Sequence, residues 1–355
     1  MFKTTYQISS DDLKSISIRI GRVMFFMAIA NVLVWWLLHP IATTSFSLRS
    51  TIFWHKKAAP DIIFIGSSAT RENLDADMAA AMLSKPDHPV TAFNLGITGG
   101  GPVVERAILR DIAFKRIDRG DFGMPALWVF EYHPLELAPL FEPVAAVGMK
   151  QVTDIGSWMD RYDSLNSPSK LVVDTLKNGM GVYQRALFDR VTYEFTRHLP
   201  ILQLGNDWAT KDRVRRIVRK RLAEVGIGQP PAAIPDLPAL YLKEIVDGYS
   251  ITDTSTAAVG DMIQMVKARG GKVVVFSFPF SDGSGMSREV LGRFDGVIKS
   301  IADSKGVPFY QLTTRDCDLV DDDFFDYIHV MRHARPKSTT CVVETALRNQ
   351  FPREP

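Results

Sequence analysis

A chain of 355 residues with 46% hydrophobic content can bury a full core, as one large domain with an insertion or as two domains. Its net charge of +2 is close to neutral, which argues against general polyanion binding, nucleic acid included. With only Cys317 and Cys341 present, a Cys-rich zinc centre and a disulfide-dense scaffold are excluded.

The first predicted element is a membrane anchor. Val23 to Leu38 reads VMFFMAIANVLVWWLL, apolar on every side of a helix, with Asn31 the one polar interruption. With Ile18, Ile20 and Gly21 before it and Pro40 to Ala42 after, the run approaches the ~20 residues that span a bilayer. Trp35 and Trp36 suit the headgroup region. Lys14, Arg19 and Arg22 precede the run, but Arg49, Lys56 and Lys57 follow closely, so the charge bias that sets orientation is weak. The expectation is a cytoplasmic segment at 1–22, a single-pass inner-membrane anchor at 23–42 and a domain on the periplasmic side. The alternatives are a buried core helix and a cleaved signal peptide, for which IATTSFS is a poor cleavage site.

Beyond the anchor, strand and helix patterns alternate. DIIFIGS (Asp61–Ser67) predicts a buried strand, ADMAAAMLS a helix, TAFNLGI (Thr91–Ile97) a second strand, and Val103–Lys115 a second helix. ALWVFEY (Ala126–Tyr132) and KVVVFSF (Lys272–Phe278) predict further strands, followed by a helix near Arg288–Ser304, the strand VPFYQL (Val307–Leu312) and a last helix over Ser338–Arg348. Short apolar runs separated by helices indicate an α/β fold: a three-layer, flavodoxin-like parallel sheet covered on both faces. The α/β domain is expected at 55–139 and 251–355, split by a helical insertion at 140–250. That insertion holds the Pro-rich GQPPAAIPDLP and the basic run KDRVRRIVRKRL, which reads as a solvated surface helix or as a contact for anionic lipid or an acidic polymer.

In an open parallel sheet, ligands bind beyond the carboxyl ends of the strands. The first strand delivers Gly66-Ser67-Ser68 there, the second Asn94 through Gly101 (NLGITGGG), and the third Glu131-Tyr132-His133-Pro134. The C-terminal FFDYIHVMRHARP can fold Asp326 and His329 back over the same edge. A serine hydroxyl needs a base within hydrogen-bond reach, itself oriented by a third group, and Asp326-x-x-His329 can supply both from one turn. A tetrahedral oxyanion also needs fixed N–H donors, which a Gly-rich turn and the Ser68 N–H can offer.

These blocks resemble those of the SGNH/GDSL hydrolase superfamily: GSS after the first strand, NLGITGGG after the second and DYIH near the C-terminus. The resemblance implies Ser68 as nucleophile, Asp326 and His329 as its partners, and Gly99 as oxyanion donor, registered from Asn94. Asn94, Arg71 and Arg332 become candidates for substrate contact, and no cofactor or metal is called for. One block departs from the family. Where it presents Gly-x-Asn-Asp, this chain has Glu131-Tyr132-His133-Pro134, leaving His133 as a substitute oxyanion donor or the donor missing. Membrane-anchored relatives acting on cell-surface polymers, the D-alanyl transfer and alginate O-acetylation proteins, also carry Gly-Ser-Ser and lack the usual third block.

That branch implies an acyltransferase or esterase adding or removing O-acyl groups, in particular O-acetyl, on an exported polysaccharide. Its partners would be an acyl donor, a cell-envelope glycan and a membrane-bound acyltransferase. The alternative is a noncatalytic assembly or polymer-binding component that keeps the fold without the chemistry. Each residue also has a plainer reading: Ser67 or Ser68 as a helix N-cap, His329 as a satisfied structural histidine, Arg71 and Arg332 as solvated cations. Glu131 is expected to be buried with a shifted pKa or paired with an arginine. Cys317 and Cys341 bracket the Asp326–His329 loop and could form a disulfide or remain two reduced, buried thiols.

Overall fold

The computed structural model describes residues 45–54, 56–120, 122–138, 145–153, 155–156, 251–284 and 288–350, together with Gly21, Arg22, Phe25 and Arg216. Most of the expected anchor, the cytoplasmic segment and the greater part of the insertion, with its Pro-rich and basic runs, lie outside these residues. Among the described residues, no helix is long and apolar enough to cross a membrane.

The chain enters through α1 (Ser45–Trp54) and then forms β1 (Ile62–Ile65), α2 (Ser68–Asn73), α3 (Ala76–Leu83), β2 (Ala92–Asn94) and α4 (Pro102–Ile108). A π turn at Leu109–Ala113 joins α4 to α5 (Phe114–Asp118); β3 (Leu127–Glu131) and the short α6 (Pro134–Leu137) follow. After the insertion come α7 (Asp253–Lys267), β4 (Lys272–Ser277), α8 (Arg288–Ser304), β5 (Phe309–Gln311) and α9 (Arg335–Val342), which a second π turn extends through Val343–Leu347.

All five strands are parallel, in the order β2-β1-β3-β4-β5, consistent with a flavodoxin-like doubly wound sheet. Ile62 pairs with Ala92 on one side and Leu127 on the other, and Leu127 with Lys272, so the central strands start level and end level.

Successive side chains of a strand point to opposite faces, so a strand apolar at every position serves two cores. Ile63, Ile65, Trp128, Phe130, Val273 and Val275 pack on one face against Phe53 of α1, Ile108 of α4, Ile263 of α7 and Phe294 of α8. Their neighbours Ile62, Phe64, Leu127, Val129, Val274 and Phe276 pack on the other against Ala79 of α3 and Val342 of α9. The result is three layers.

Four local features differ from the expectations. The Gly66-Ser67-Ser68 turn leads directly into a short helix, α2, capped by Ser67, whose hydroxyl accepts the Ala69 N–H at 2.9 Å. Thr252 caps α7, which returns the chain from the insertion to the core. Residues 145–153 are helical, and Val147, Val152 and Ile155 are buried, so the start of the expected insertion belongs to the sheet domain. The last helix begins earlier than expected, at Arg335, with Pro336 in its first turn, where a missing N–H costs nothing.

Candidate active site

Every strand ends at the same edge, and the chain spends its polar residues there. β1 terminates at Gly66, a position that no larger residue fits: a Cβ there would meet Thr70 Oγ1 at 2.1 Å and Glu131 Oε2 at 2.7 Å. Glu131, the last residue of β3, is buried beneath the turn, and its Oε2 accepts the Ser67 N–H at 3.1 Å and the Ser67 and Thr70 hydroxyls at 3.0 Å each. The two serines therefore divide the work. Ser67 is consumed by capping and by Glu131, while Ser68, at the first position of α2, faces the C-terminal loop.

That loop brings in the other two partners. His329 Nε2 lies 2.7 Å from Ser68 Oγ, and His329 Nδ1 lies 2.8 Å from Asp326 Oδ2. The other carboxylate oxygen of Asp326 accepts the backbone N–H groups of Ile328 at 3.0 Å and His329 at 2.8 Å, which closes the turn and fixes the carboxylate plane. Burial pushes the Asp326 carboxyl upward. The charge of the His329 ring and the hydrogen bonds from His329 and Ile328 outweigh it and hold the group below the usual carboxylate range. An ionised Asp326 fixes the proton on Nδ1 and leaves Nε2 to take the Ser68 proton.

The loop is held against α2 at several points. Asn73 donates its amide to the Ile328 carbonyl at 2.8 Å and accepts the Val330 N–H at 2.9 Å. Arg335 donates to the carbonyls of Arg71 at 3.1 Å and Leu74 at 2.6 Å. Phe324 and Val330 form an antiparallel bridge across the loop, and a Cys317–Cys341 disulfide joins the segment before it to α9, with Cα atoms 4.9 Å apart. Of the two states open to these cysteines, the structure has the bonded one.

Gly99 has φ of +69°, in the left-handed region that favours glycine. The nearby Gly96 and Gly100 press against the Gly66-Ser67-Ser68 turn, since a Cβ at Gly96 would meet Ser67 O at 2.8 Å and one at Gly100 would meet Ser67 Cα at 3.3 Å. The glycine loop thus runs beside the Gly66-Ser67-Ser68 turn, and the Ser68 N–H, in the first turn of α2, has no acceptor within its own helix.

The candidates for substrate contact fare differently. Asn94 is corrected from substrate contact to a structural role. Its amide donates to the carbonyls of Thr70 and Leu74 at 2.8 and 3.1 Å, and its oxygen accepts the Gly96 N–H at 2.9 Å, so both ends serve the scaffold. Arg71 is buried and pairs with Glu72, whereas Arg332 is exposed beside the loop. His133 is buried with Nε2 3.2 Å from Glu136 Oε1, which turns that nitrogen toward the carboxylate rather than toward a substrate.

Behind the turn lies an acidic pocket. Glu105, Glu131 and Glu136 are buried together with Tyr132 and His133. Burial, then the nearby Glu136, pushes the Glu131 carboxyl up to about 7; burial pushes Glu136 up to about 8 and lowers the His133 imidazole to about 4. Burial and the charges of Glu136 and Glu131 raise Glu105 well above the carboxylate range. Donor atoms of Glu131, His133 and Glu136 lie within 4.8 Å of one another, a spacing that a cation could bridge. Glu131 Oε2 accepts three hydrogen bonds and Glu136 Oε2 accepts the His133 backbone N–H at 3.4 Å, while Glu131 Oε1 and Glu136 Oε1 are buried without a hydrogen-bond partner among the described residues.

Asn73 and Glu136 escaped the reading of the sequence. Asn73 stands in the stretch FIGSSATREN five positions after the serine, and Glu136 three positions after His133; neither spacing announces a contact made across the fold. Glu105 left a signal: on α4 it shares the inward side with Val104 and Ile108. No protein-family model matches the chain, and no curated protein matches its sequence.

Proposed function

We propose that this chain is a serine-dependent acyltransferase or ester hydrolase. The observation that carries the reading is the continuous hydrogen-bonded series Ser68, His329, Asp326 at the carboxyl edge of a parallel sheet. In the proposed mechanism Ser68 Oγ attacks the ester carbonyl, and its proton passes to His329 Nε2 while Asp326 stabilises the imidazolium. The N–H groups of Ser68 and Gly99 stabilise the tetrahedral oxyanion. Collapse returns the proton to the departing alkoxide and leaves an acyl-Ser68. A sugar hydroxyl or water, deprotonated by His329, then removes the acyl group.

The finer reading follows the SGNH-like resemblance. It is an SGNH-type domain with a helical insertion, held at the inner membrane by the 23–42 anchor and facing the periplasm, that adds or removes O-acyl groups on an exported polysaccharide. An acyl donor and a membrane-bound acyltransferase would be its partners. A second reading, a noncatalytic SGNH-fold component that binds or assembles a cell-envelope polymer, is favoured by one feature: His133, at the third block, turns Nε2 toward Glu136.

The two readings separate on one experiment. Full-length protein in detergent is incubated with p-nitrophenyl acetate and with a fluorophosphonate probe, alongside Ser68→Ala and His329→Ala. Hydrolysis and labelling lost in both variants support the enzyme. Wild-type protein that neither hydrolyses nor labels supports the noncatalytic component.

A further inference from the structure

α1 feeds β1 through the seven residues 55–61, and β1 begins at the amino edge of the sheet, so α1 runs down from the carboxyl edge. Contacts agree. Near its end, the Phe53 ring lies 5.4 Å from Phe122, which precedes β3. Half a helix earlier, the Arg49 guanidinium donates to the Gly96 carbonyl, in the loop pressed against Ser67. The chain therefore enters the domain beside the nucleophile.

Only Thr43 and Thr44 separate the expected anchor, which ends at Ala42, from Ser45. A peptide of that length spans at most about 10 Å. A chain held in a bilayer through 23–42 thus brings the carboxyl edge, not the amino edge, to the membrane.

The exposed apolar surface points the same way. Among the described residues the large apolar side chains exposed are Phe25, Ile52, Val320, Phe325 and Met331. Phe25 lies in the expected anchor and Ile52 on α1; the other three lie on the loop that carries Asp326 and His329. Phe325 precedes Asp326 directly, and its N–H bonds to the His329 carbonyl at 2.7 Å, while the Met331 N–H bonds to the Asp323 carbonyl at 2.7 Å. Exposed Arg332, His333 and Lys337 adjoin them. The flanking acids are partly engaged: Asp321 with Ser281 and Gly283, Asp323 with His333 and Lys337, leaving Asp318 and Asp322 to solvent. Apolar tips beside cations suit the headgroup boundary of a bilayer.

We propose that the mouth of the Ser68 site faces the lipid surface, with Phe325, Met331 and Val320 seated in the headgroup region, so that the acyl donor reaches Ser68 along the membrane. The proposal rests on the membrane-anchored reading of the chain and deepens it.

The test uses the full chain reconstituted in phosphatidylcholine–phosphatidylglycerol vesicles. Cys317 and Cys341 are joined, so a single introduced cysteine takes a bimane label alone. Phe325→Cys reports the carboxyl edge and Asp87→Cys, exposed on the loop before β2, the amino edge. The expected result is loss of most bimane emission at position 325 with headgroup-nitroxide lipid and little loss at 87. Equal exposure of both labels to aqueous iodide, without lipid quenching, overturns the proposal. So does protection of position 325 from iodide without lipid quenching, which indicates a protein cover. A chain that washes off the vesicles overturns the anchor together with this orientation. Ser68-dependent hydrolysis of a soluble ester, followed on the same samples, reports on the catalytic reading separately.

Discussion

Asn73 brackets His329: its side chain bonds at 2.8 Å to the carbonyl of the residue before the histidine and at 2.9 Å to the N–H of the residue after it. Because Asn73 ends the helix that Ser68 begins, one amide ties His329 and Ser68 into a single body. Asn73→Ala leaves two buried backbone groups unpaired, a cost of roughly 1–3 kcal/mol each. Ester hydrolysis by this variant should lose kcat with little change in KM, and Asn73→Asp, which keeps only the acceptor, should fall between it and the wild type.

Asp326→Asn keeps the shape of the turn but permits the wrong imidazole tautomer. A loss on the order of 10⁴-fold in kcat is expected at neutral pH. Rates measured on p-nitrophenyl acetate check it, and a variant within a few-fold of wild type would remove Asp326 from the mechanism.

In the proposed mechanism Glu131 is a positioning residue for the Gly66-Ser67-Ser68 turn. Glu131→Gln retains an oxygen for the Ser67 and Thr70 donors and should leave measurable hydrolysis, whereas Glu131→Ala should lower both thermal midpoint and kcat. Rescue by the glutamine and not by the alanine separates hydrogen bonding from charge.

The Cys317–Cys341 bond closes a loop with a sequence separation of 24, for which chain entropy gives about 3 kcal/mol of stabilisation. Cys317→Ser/Cys341→Ser should unfold at lower denaturant. The same shift should follow reduction of the wild type by dithiothreitol, with no further effect of the reductant on the variant.

The acidic pocket makes stability fall with rising pH. Glu131 and Glu136 hold protons when folded up to about 7 and about 8, whereas unfolded they release them near 4.5. Their favourable contribution is complete below the unfolded value and is lost as pH rises through the folded ones. His133 works in the opposite direction, its contribution present above 6.5 and lost as pH falls through about 4, so the carboxyls are best read above pH 6.5. The thermal midpoint should decline between pH 6.5 and 9, and Glu136→Gln should flatten that decline.

The sheet was legible in the sequence because parallel strands buried on both faces need unbroken apolar runs, and IIFI and LWVFE stand out against their flanks. Ser68, Asp326 and His329 were legible because chemistry confines such residues to strand ends and tight turns. What stayed hidden depends on distance along the chain. Asn73 meets Ile328 across 255 residues and Arg49 meets Gly96 across 47, and no local pattern encodes either contact. Asn94 misled for the same reason: a polar residue at the site edge reads as a ligand until its partners, the carbonyls of Thr70 and Leu74, are known.

The crowding at Gly66 bears on how such a chain could change over evolutionary time. A side chain there would strike Thr70 and Glu131, and Ser67 is required by its cap and by the same glutamate. Two letters of Gly-Ser-Ser are thus constrained by packing alone. On the proposed mechanism, a descendant that abandoned ester chemistry would keep both and be free to alter only the third. On that mechanism the identity of residue 68, more than the presence of the motif, is the mark by which active and retired copies of this fold would be told apart.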